Sequence, residues 1–174
     1  DEYGMVSLDK LKEAITDKTI LISIMFANNE IGTIQPIEEI GKIAKEKGIY
    51  FHTDAVQAVG NISIDVKKYN IDLLSLSAHK FYGPKGVGAL YVRKGIKIDS
   101  FLQGGSQEAG RRAGTENVAG IVGLGEAIEL AYKNFDEKQN KIKALRDKLI
   151  QGVLEKIPYT RLNGHPEKRL PGNA

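Results

Sequence analysis

The sequence has no cysteine and no tryptophan among its 174 residues, and only five prolines. Without cysteine, the chain contains neither disulfide bonds nor cysteine-ligated metal sites, and we expect no metal at its functional site. No apolar run approaches the roughly 18 residues of a membrane-spanning helix. The first residues, Asp1 to Gly4, have neither the basic start nor the apolar core of a signal peptide. A net charge of only +3 does not indicate nucleic-acid or membrane binding, and we expect neither partner. We further expect a cytoplasmic location.

The composition is that of a folded domain, with 41% hydrophobic and 27% charged residues. Apolar runs predict four strands, at Ile20–Phe26, Ile49–Thr53, 71–76 and 87–92. Helical periodicity predicts four helices, at Ser7–Ile15, Pro36–Lys47, Glu116–Asn134 and Asp136–Lys156. The last two strands are too close in sequence for a helical crossover, so we expect them to be antiparallel. The remaining alternation predicts a three-layer α/β/α fold with a mostly parallel mixed sheet.

The two long C-terminal helices have apolar residues at helical spacing, which we interpret as core positions. These residues are Val118, Ile121, Val122, Leu124, Ala127, Ile128, Ala131, Ile142, Leu145, Leu149, Val153 and Leu154. The last helix also has a strongly charged face, which we interpret as solvated. Its cations are Lys138, Lys141, Lys143, Arg146 and Lys148.

The segment Ser77-Ala-His-Lys-Phe-Tyr-Gly-Pro-Lys-Gly86 places Lys80 where a predicted strand ends in a glycine-rich loop. A partly desolvated lysine can lose its proton, and a neutral amine forms a Schiff base with an aldehyde cofactor. This chemistry points to pyridoxal phosphate. Taken alone, Lys80 could equally be an ordinary surface lysine, so the neighbouring motifs decide between the two interpretations.

A second candidate, Asp54, lies at the exit of another predicted strand, upstream of Lys80. A carboxylate there can pair with a pyridinium nitrogen and keep it protonated, which makes the cofactor an electron sink. Alternatively, Asp54 and Gln57 could be cap and surface residues of a short helix. His52 shares a strand face with Asp54 because the two are two positions apart, and we expect it to support the site rather than form it.

Four motifs, in this order and spacing, resemble those of NifS/IscS-type cysteine desulfurases, which are class V, fold type I pyridoxal-phosphate enzymes. The motifs are Asn28-Asn-Glu-Ile-Gly-Thr-Ile-Gln35, His52-Thr-Asp-Ala-Val-Gln57, Ser77-Ala-His-Lys80 with its glycine-rich tail, and Gly110-Arg-Arg-Ala-Gly-Thr-Glu-Asn117. The similarity extends over essentially the whole chain. It implies the large domain of a fold type I enzyme, present here in incomplete form.

The resemblance implies a role for each matching residue. Lys80 holds the cofactor and moves protons as general base and acid. Asp54 pairs with the ring nitrogen and Gln57 faces the ring hydroxyl. The remaining matches are Ser77 and His79 for the cofactor phosphate, Thr115 for the phosphate site of a neighbouring subunit, and Asn29 beside the substrate carboxylate and the ring hydroxyl. From the residues alone, Ser77 and His79 could instead satisfy loop backbone, and Asn28 and Asn29 could be turn residues.

The resemblance also implies an organisation and a reaction. Residues 1–134 are expected to form part of the cofactor-binding large domain, 135–157 a connecting helix, and 158–174 the start of a small C-terminal domain. The parent enzyme is expected to be a homodimer that converts L-cysteine to alanine and an enzyme persulfide. A sulfur-acceptor or iron–sulfur scaffold protein would then receive the sulfur.

The missing cysteine bears directly on this expectation, because a desulfurase needs a thiolate to take the substrate sulfur. In the resembling family that cysteine lies beyond the matched region, so we interpret the chain as an internal fragment that is inactive alone. Three alternatives stay open: another class V enzyme such as a selenocysteine lyase or an aminotransferase, a non-catalytic dimerisation fragment, and a nucleic-acid-binding module. Salt-sensitive binding of duplex DNA would be needed to support the last.

Overall fold

A computed structural model describes all of residues 1–174 and contains one four-stranded mixed sheet. Its strands are, in spatial order, β1 (Leu21–Ser23), β2 (Tyr50–Asp54), β3 (Leu73–Ser77) and β4 (Gly88–Val92). The first three strands are parallel to one another, and β4 runs antiparallel to β3. The mostly parallel sheet and the antiparallel last pair are therefore confirmed.

Strand β1 is shorter than the predicted Ile20–Phe26, but its pairing with β2 continues beyond it. Ile24 N donates to His52 O at 3.2 Å, and Phe26 N donates to Asp54 O at 2.7 Å. The chain from β1 to Phe26 therefore follows β2 to its carboxyl end, which determines where the loop after Phe26 begins.

The helices are α1 (Leu8–Ala14), α2 (Ile37–Lys47), α3 (Gln107–Gly110), α4 (Val118–Tyr132) and α5 (Phe135–Lys156). A 3₁₀ turn, Ala78–Phe81, directly follows β3. The four predicted helices agree with the structure to within two residues at each end. Helix α2 begins after Pro36 and ends at Gly48, whose φ of 68° is left-handed. Both boundaries follow from the local sequence, because proline suits a helix start and glycine a left-handed end.

One face of the sheet is packed and the other is open. Alternate residues Ile22, Phe51 and Leu74 are buried in a core that α2 covers. Residues of the opposite parity, such as Leu21 and Tyr50, are exposed. Because Phe51 is completely buried, it alone contributes roughly 1.5–3 kcal/mol to folding.

The interpretation of both long helices as core elements is only partly correct. In α4, Ala127 is buried in the core and Leu124 packs against it, but Val122 is exposed. In α5, Leu145 and Leu149 are 60% and 57% exposed. No residue of α5 belongs to the core, although Phe135 at its start stacks on Tyr132 of α4. The apolar stripe of α5 therefore remains outside the core.

The prediction of a solvated cationic face on α5 is wrong at Arg146, which is buried. The Arg146 side chain is only 4% exposed, binds Asp147, and donates to Leu170 O at 3.0 Å. Lys138 is exposed, as predicted, and its Nζ donates to Leu130 O and Ala131 O at 3.2 and 3.3 Å. These carbonyls lie at the end of α4, where a cation is favoured by the helix dipole.

The proposed division into a large domain, a connecting helix and a small domain remains a prediction. Helix α5 coincides with the expected connecting segment. No helix of this chain has the length and apolar character required to cross a bilayer.

Candidate functional site

Most of the candidate residues lie at one edge of the sheet. Because β1, β2 and β3 are parallel, their carboxyl ends meet at the same edge, which is where open α/β sheets bind ligands. Asp54 is the last residue of β2, and Ser77 is the last residue of β3. The residues that follow strand exits at this edge are Asn29, Asp54, Gln57, Ser77, His79 and Lys80.

Lys80 lies in the 3₁₀ turn that directly follows β3. The turn is anchored by Ala78 and Phe81, both buried, and is closed by a bond from Gly83 N to Ala78 O at 2.9 Å. Lys80 itself is exposed and makes neither a hydrogen bond nor an ion pair. Its amine is therefore free to react, but this chain does not supply the desolvation that the sequence argument invoked.

Asp54 is compatible with both interpretations that the sequence left open, a cap residue and a carboxylate that binds a ligand. Its Oδ1 accepts a hydrogen bond from Val56 N at 2.9 Å, which caps the turn after β2. Its other carboxylate oxygen has no partner within the chain and is available to a ligand. Residues 55–62 form hydrogen-bonded turns rather than a helix, and the Gln57 side chain within them makes no hydrogen bond.

Ser77 and His79 form a pair at the start of the 3₁₀ turn. Ser77 Oγ and His79 Nδ1 are 2.9 Å apart. The two side chains bond to each other and not to loop backbone, which was the alternative interpretation. A hydroxyl and an imidazole at this position suit the oxygen atoms of a phosphate.

The asparagine pair after β1 has two different roles. Asn28 Oδ1 accepts hydrogen bonds from Glu30 N and Ile31 N at 2.9 and 3.0 Å, so Asn28 is a turn residue. Asn29 is exposed at the tip of the same loop, and its side chain makes no hydrogen bond. Only Asn29 is therefore available to a ligand.

Thr115 is not joined to this group. It is exposed in the loop between α3 and α4, and no hydrogen bond connects it to the sheet edge. In α3, Glu108 and Ala109 have positive φ values of 51° and 56°, which gives the start of this loop an unusual backbone.

A hydrogen-bonded row across the open face of the sheet was not predicted. His52 Nδ1 lies 2.7 Å from Ser23 Oγ, and His52 Nε2 lies 2.8 Å from Ser75 Oγ. His52 shares its face with Asp54, as predicted, but its partners depend on strand register, which the sequence alone does not supply.

The chemical groups define this site better than its shape does. A cavity of about 610 Å³ lies along α5 beside Leu145 and Ile157, away from the sheet edge. Lys80 lines a smaller cavity of about 250 Å³ together with Gln139 and Ile142. Because an amine, a carboxylate, a hydroxyl and an imidazole lie at the exits of neighbouring strands, we take the sheet edge as the site.

Comparison with known proteins defines the class. The family described as aminotransferase class-V matches residues 1–173, and the chain belongs to this family. Within it, the chain is similar to cysteine desulfurases. It is 69% identical to the cysteine desulfurase IscS of Methanosarcina thermophila over the whole chain, which spans 43% of that protein.

Solved structures agree with the fold and with this branch of the family. A NifS-like protein superposes with a TM-score of 0.92 at 43% identity, covering 98% of this chain and 47% of that one. SspA in complex with cysteine superposes with a TM-score of 0.82 at 40% identity, with coverages of 98% and 47%. The chain thus spans less than half the length of these relatives and has the incomplete fold type I architecture that the sequence predicted.

Proposed function

We propose that this chain is the cofactor-binding part of a pyridoxal-phosphate-dependent cysteine desulfurase. The enzyme removes sulfur from L-cysteine and leaves alanine and an enzyme-bound persulfide, which supplies iron–sulfur cluster or thiolated cofactor synthesis. The main supporting observation is the set of groups at the carboxyl ends of adjacent parallel strands. These groups are the unpaired amine of Lys80, the Asp54 carboxylate with one unbonded oxygen, and the hydrogen-bonded side chains of Ser77 and His79. The identity with a cysteine desulfurase IscS supports the choice of reaction.

The residues fit pyridoxal phosphate by their chemistry. Lys80 offers an unpaired amine for the aldehyde, and Asp54 offers one free carboxylate oxygen for the ring nitrogen. Ser77 and His79 offer polar atoms for the phosphate, and Gln57 offers an amide for the ring hydroxyl. When bound, the cofactor supplies an electron sink for the bond that breaks at the substrate alpha carbon.

Three side chains carry the proposed chemistry. Lys80 Nζ would take the proton from the substrate alpha carbon and later return a proton as general acid. Asp54 keeps the ring nitrogen protonated while negative charge develops. Asn29 donates its side-chain amide to the substrate carboxylate and limits the orientations that the substrate can adopt.

The sulfur-transfer step needs a thiolate that attacks the substrate sulfur. This chain has no cysteine. We therefore expect the 174 residues to capture the cofactor but not to turn over L-cysteine. Repeated release of alanine by the chain alone would contradict this expectation.

We further propose that the enzyme is a cytoplasmic homodimer that passes sulfur to an acceptor or scaffold protein. Exposed apolar side chains near Thr115 in sequence, including Phe101, Val118 and Val122, support a subunit contact in this region. Thr115 would then contribute to the phosphate site of the second subunit.

A different class V reaction is the main alternative. The family description itself names aminotransferases, and a selenocysteine lyase would use the same cofactor residues. An aminotransferase retains the substrate amino group on its cofactor, whereas a desulfurase releases alanine with the amino group in place. In the full enzyme, recovery of alanine from L-cysteine would therefore separate the two.

The cofactor assignment is tested by titrating the chain with pyridoxal phosphate and recording the visible absorption band. We expect Lys80→Ala to abolish the band. Lys85→Ala is the matched control, because Lys85 is an exposed lysine of the same loop. If Lys85→Ala removes the band, or if Lys80→Ala retains it, the assignment of Lys80 is wrong.

A further inference from the structure

The loop that carries Asn29 is held by a segment far away in the sequence. Residues 28–33, here the asparagine loop, contact residues 163–173, here the C-terminal segment. Leu170 N donates to Gly32 O at 2.8 Å, and Asn173 Nδ2 donates to Glu30 O at 3.0 Å. Just beyond the loop, Ile34 N donates to Lys168 O at 2.9 Å.

Arg169 is the centre of this contact. The residue is only 4% exposed, and it has no carboxylate partner. Its guanidinium donates five hydrogen bonds. One of them reaches the asparagine loop, where Arg169 Nη2 donates to Ile31 O at 3.3 Å. The other four stay within the C-terminal segment and reach Asn163 O, His165 O, Asn173 O and Asn173 Oδ1 at 2.8–3.3 Å. Burial lowers the pKa of Arg169 below its ordinary value, with a smaller contribution from the nearby Arg146.

The two segments pack closely against each other at two glycines. A Cβ at Gly32 would lie 2.5 Å from the Asn173 side chain, and a Cβ at Gly164 would lie 2.3 Å from Ile31 O. Thr33 Oγ1 donates to Tyr3 O at 2.6 Å and accepts from His165 N at 3.0 Å. The asparagine loop is thus fixed on its inner side, while its tip stays exposed.

We propose that Arg169 is a positioning residue for Asn29. Asn28 Oδ1 holds the N–H groups of Glu30 and Ile31, and Arg169 holds the carbonyl of Ile31. The peptide groups that follow Asn29 are therefore fixed from both sides. A lysine cannot replace this contact, because its ammonium has three donors and lacks the planar fork that reaches five oxygens.

The functional meaning of this contact depends on the proposed function, which gives Asn29 its role beside the substrate carboxylate and the ring hydroxyl. The structural part of the proposal can be measured without any cofactor. The experiment therefore has two arms, and the first does not need the proposed function to be correct.

The first arm measures backbone amide hydrogen exchange in Arg169→Lys. We expect the amides of residues 28–34 to exchange at least about tenfold faster, because hydrogen bonds to a charged group are lost. The amides of α2 should be unchanged. Arg161→Lys is the matched control, since Arg161 is an exposed arginine near the same segment. Asn173→Ala, which keeps the guanidinium, should speed exchange at the same amides to a smaller degree.

The second arm measures the pH dependence of the visible band of bound pyridoxal phosphate, because Asn29 is placed beside the ring hydroxyl. We expect Arg169→Lys to shift this profile in the same direction as Asn29→Ala, without loss of the visible band. The double variant should match Asn29→Ala alone, because both changes act through one side chain.

The outcomes separate the two proposals. Unchanged exchange in residues 28–34, or faster exchange spread equally over α2, overturns the positioning role. Additive shifts in the double variant overturn it as well. If the unaltered chain fails to capture pyridoxal phosphate, the proposed function is contradicted, while the exchange data still decide whether Arg169 holds the loop.

Discussion

Asp72 links three strands of the sheet and gives the sharpest prediction about its stability. The residue directly precedes β3, and its Oδ2 accepts the Phe51 N–H of β2 at 2.8 Å. Its Oδ1 forms an ion pair with Nη2 of Arg93, the residue directly after β4, at 2.9 Å. The Asp72 side chain is 10% exposed and that of Arg93 is 46% exposed. The hydrogen bond to Phe51 is therefore buried, whereas the ion pair is solvated on its Arg93 side.

These two contacts predict a graded series of variants. Asp72→Ala leaves the buried N–H of Phe51 without an acceptor, which costs about 1–3 kcal/mol. It also loses the ion pair with the solvated Arg93 side chain, worth about 0–1 kcal/mol. Asp72→Asn keeps an oxygen for Phe51 N and should cost about 1 kcal/mol. Arg93→Gln should cost less than about 1 kcal/mol.

The series is measured by urea unfolding, followed by circular dichroism at a fixed protein concentration. We expect Asp72→Ala to lower the free energy of unfolding by roughly 1–4 kcal/mol with an unchanged denaturant slope. If Asp72→Asn is as costly as Asp72→Ala, the ion pair dominates and the reasoning is refuted. A loss below about 0.5 kcal/mol for Asp72→Ala would refute it as well.

Two further predictions concern packing and pH. At Gly41 in α2, a Cβ would lie 1.9 Å from Tyr69 O, so Gly41→Ala should destabilise the chain by about 1–3 kcal/mol in urea unfolding. Gly125→Ala in α4 meets no atom within 4 Å and should stabilise by about 0.5–1 kcal/mol; equal effects of the two changes would contradict the packing account. The pKa of Asp65 is lowered below 3.8, chiefly by a hydrogen bond from the Lys68 amide and then by one from Lys67. Its stabilising contribution is therefore complete above pH 3.8 and is lost as the pH falls through its lower folded value. Asp65→Asn should reduce the loss of stability in that acidic range, and an unaltered pH profile would show that the bond contributes nothing.

Local signals in the sequence account for most of the fold that was predicted. Ser7 caps α1 by accepting a hydrogen bond from Lys10 N, and Gly48 ends α2 in a left-handed conformation. Both features depend on residues within one helical turn. The antiparallel pairing of β3 with β4 followed from the length of the connection alone.

The environment of α5 could not be predicted in the same way. Its sequence presents an apolar stripe and a charged face, and periodicity favours burial of the stripe. In the structure, Arg146 is buried and Leu145 is exposed, because α5 packs against loop carbonyls such as Leu170 O. The acceptors that a helix meets depend on tertiary contacts rather than on its own periodicity.

The features of the candidate site likewise include some that the sequence could predict and some that depend on tertiary contacts. Asp54, Ser77 and Lys80 could be found from the sequence because strand exits are local features and parallel strands share an edge. The contact between Arg169 and the asparagine loop could not be predicted from the sequence. The hydrogen bonds between the two segments join residues as far as 143 positions apart. No local pattern indicates such a pairing.

The central claim, that Lys80 is the residue that binds the cofactor, is tested most directly by covalent mapping. The chain is incubated with pyridoxal phosphate and reduced with borohydride, and the modified lysine is then identified by mass spectrometry. The account predicts that the label lies mainly on Lys80 and that Asp54→Ala lowers its yield. A label spread over exposed lysines such as Lys85 and Lys141, with no preference for Lys80, would contradict it.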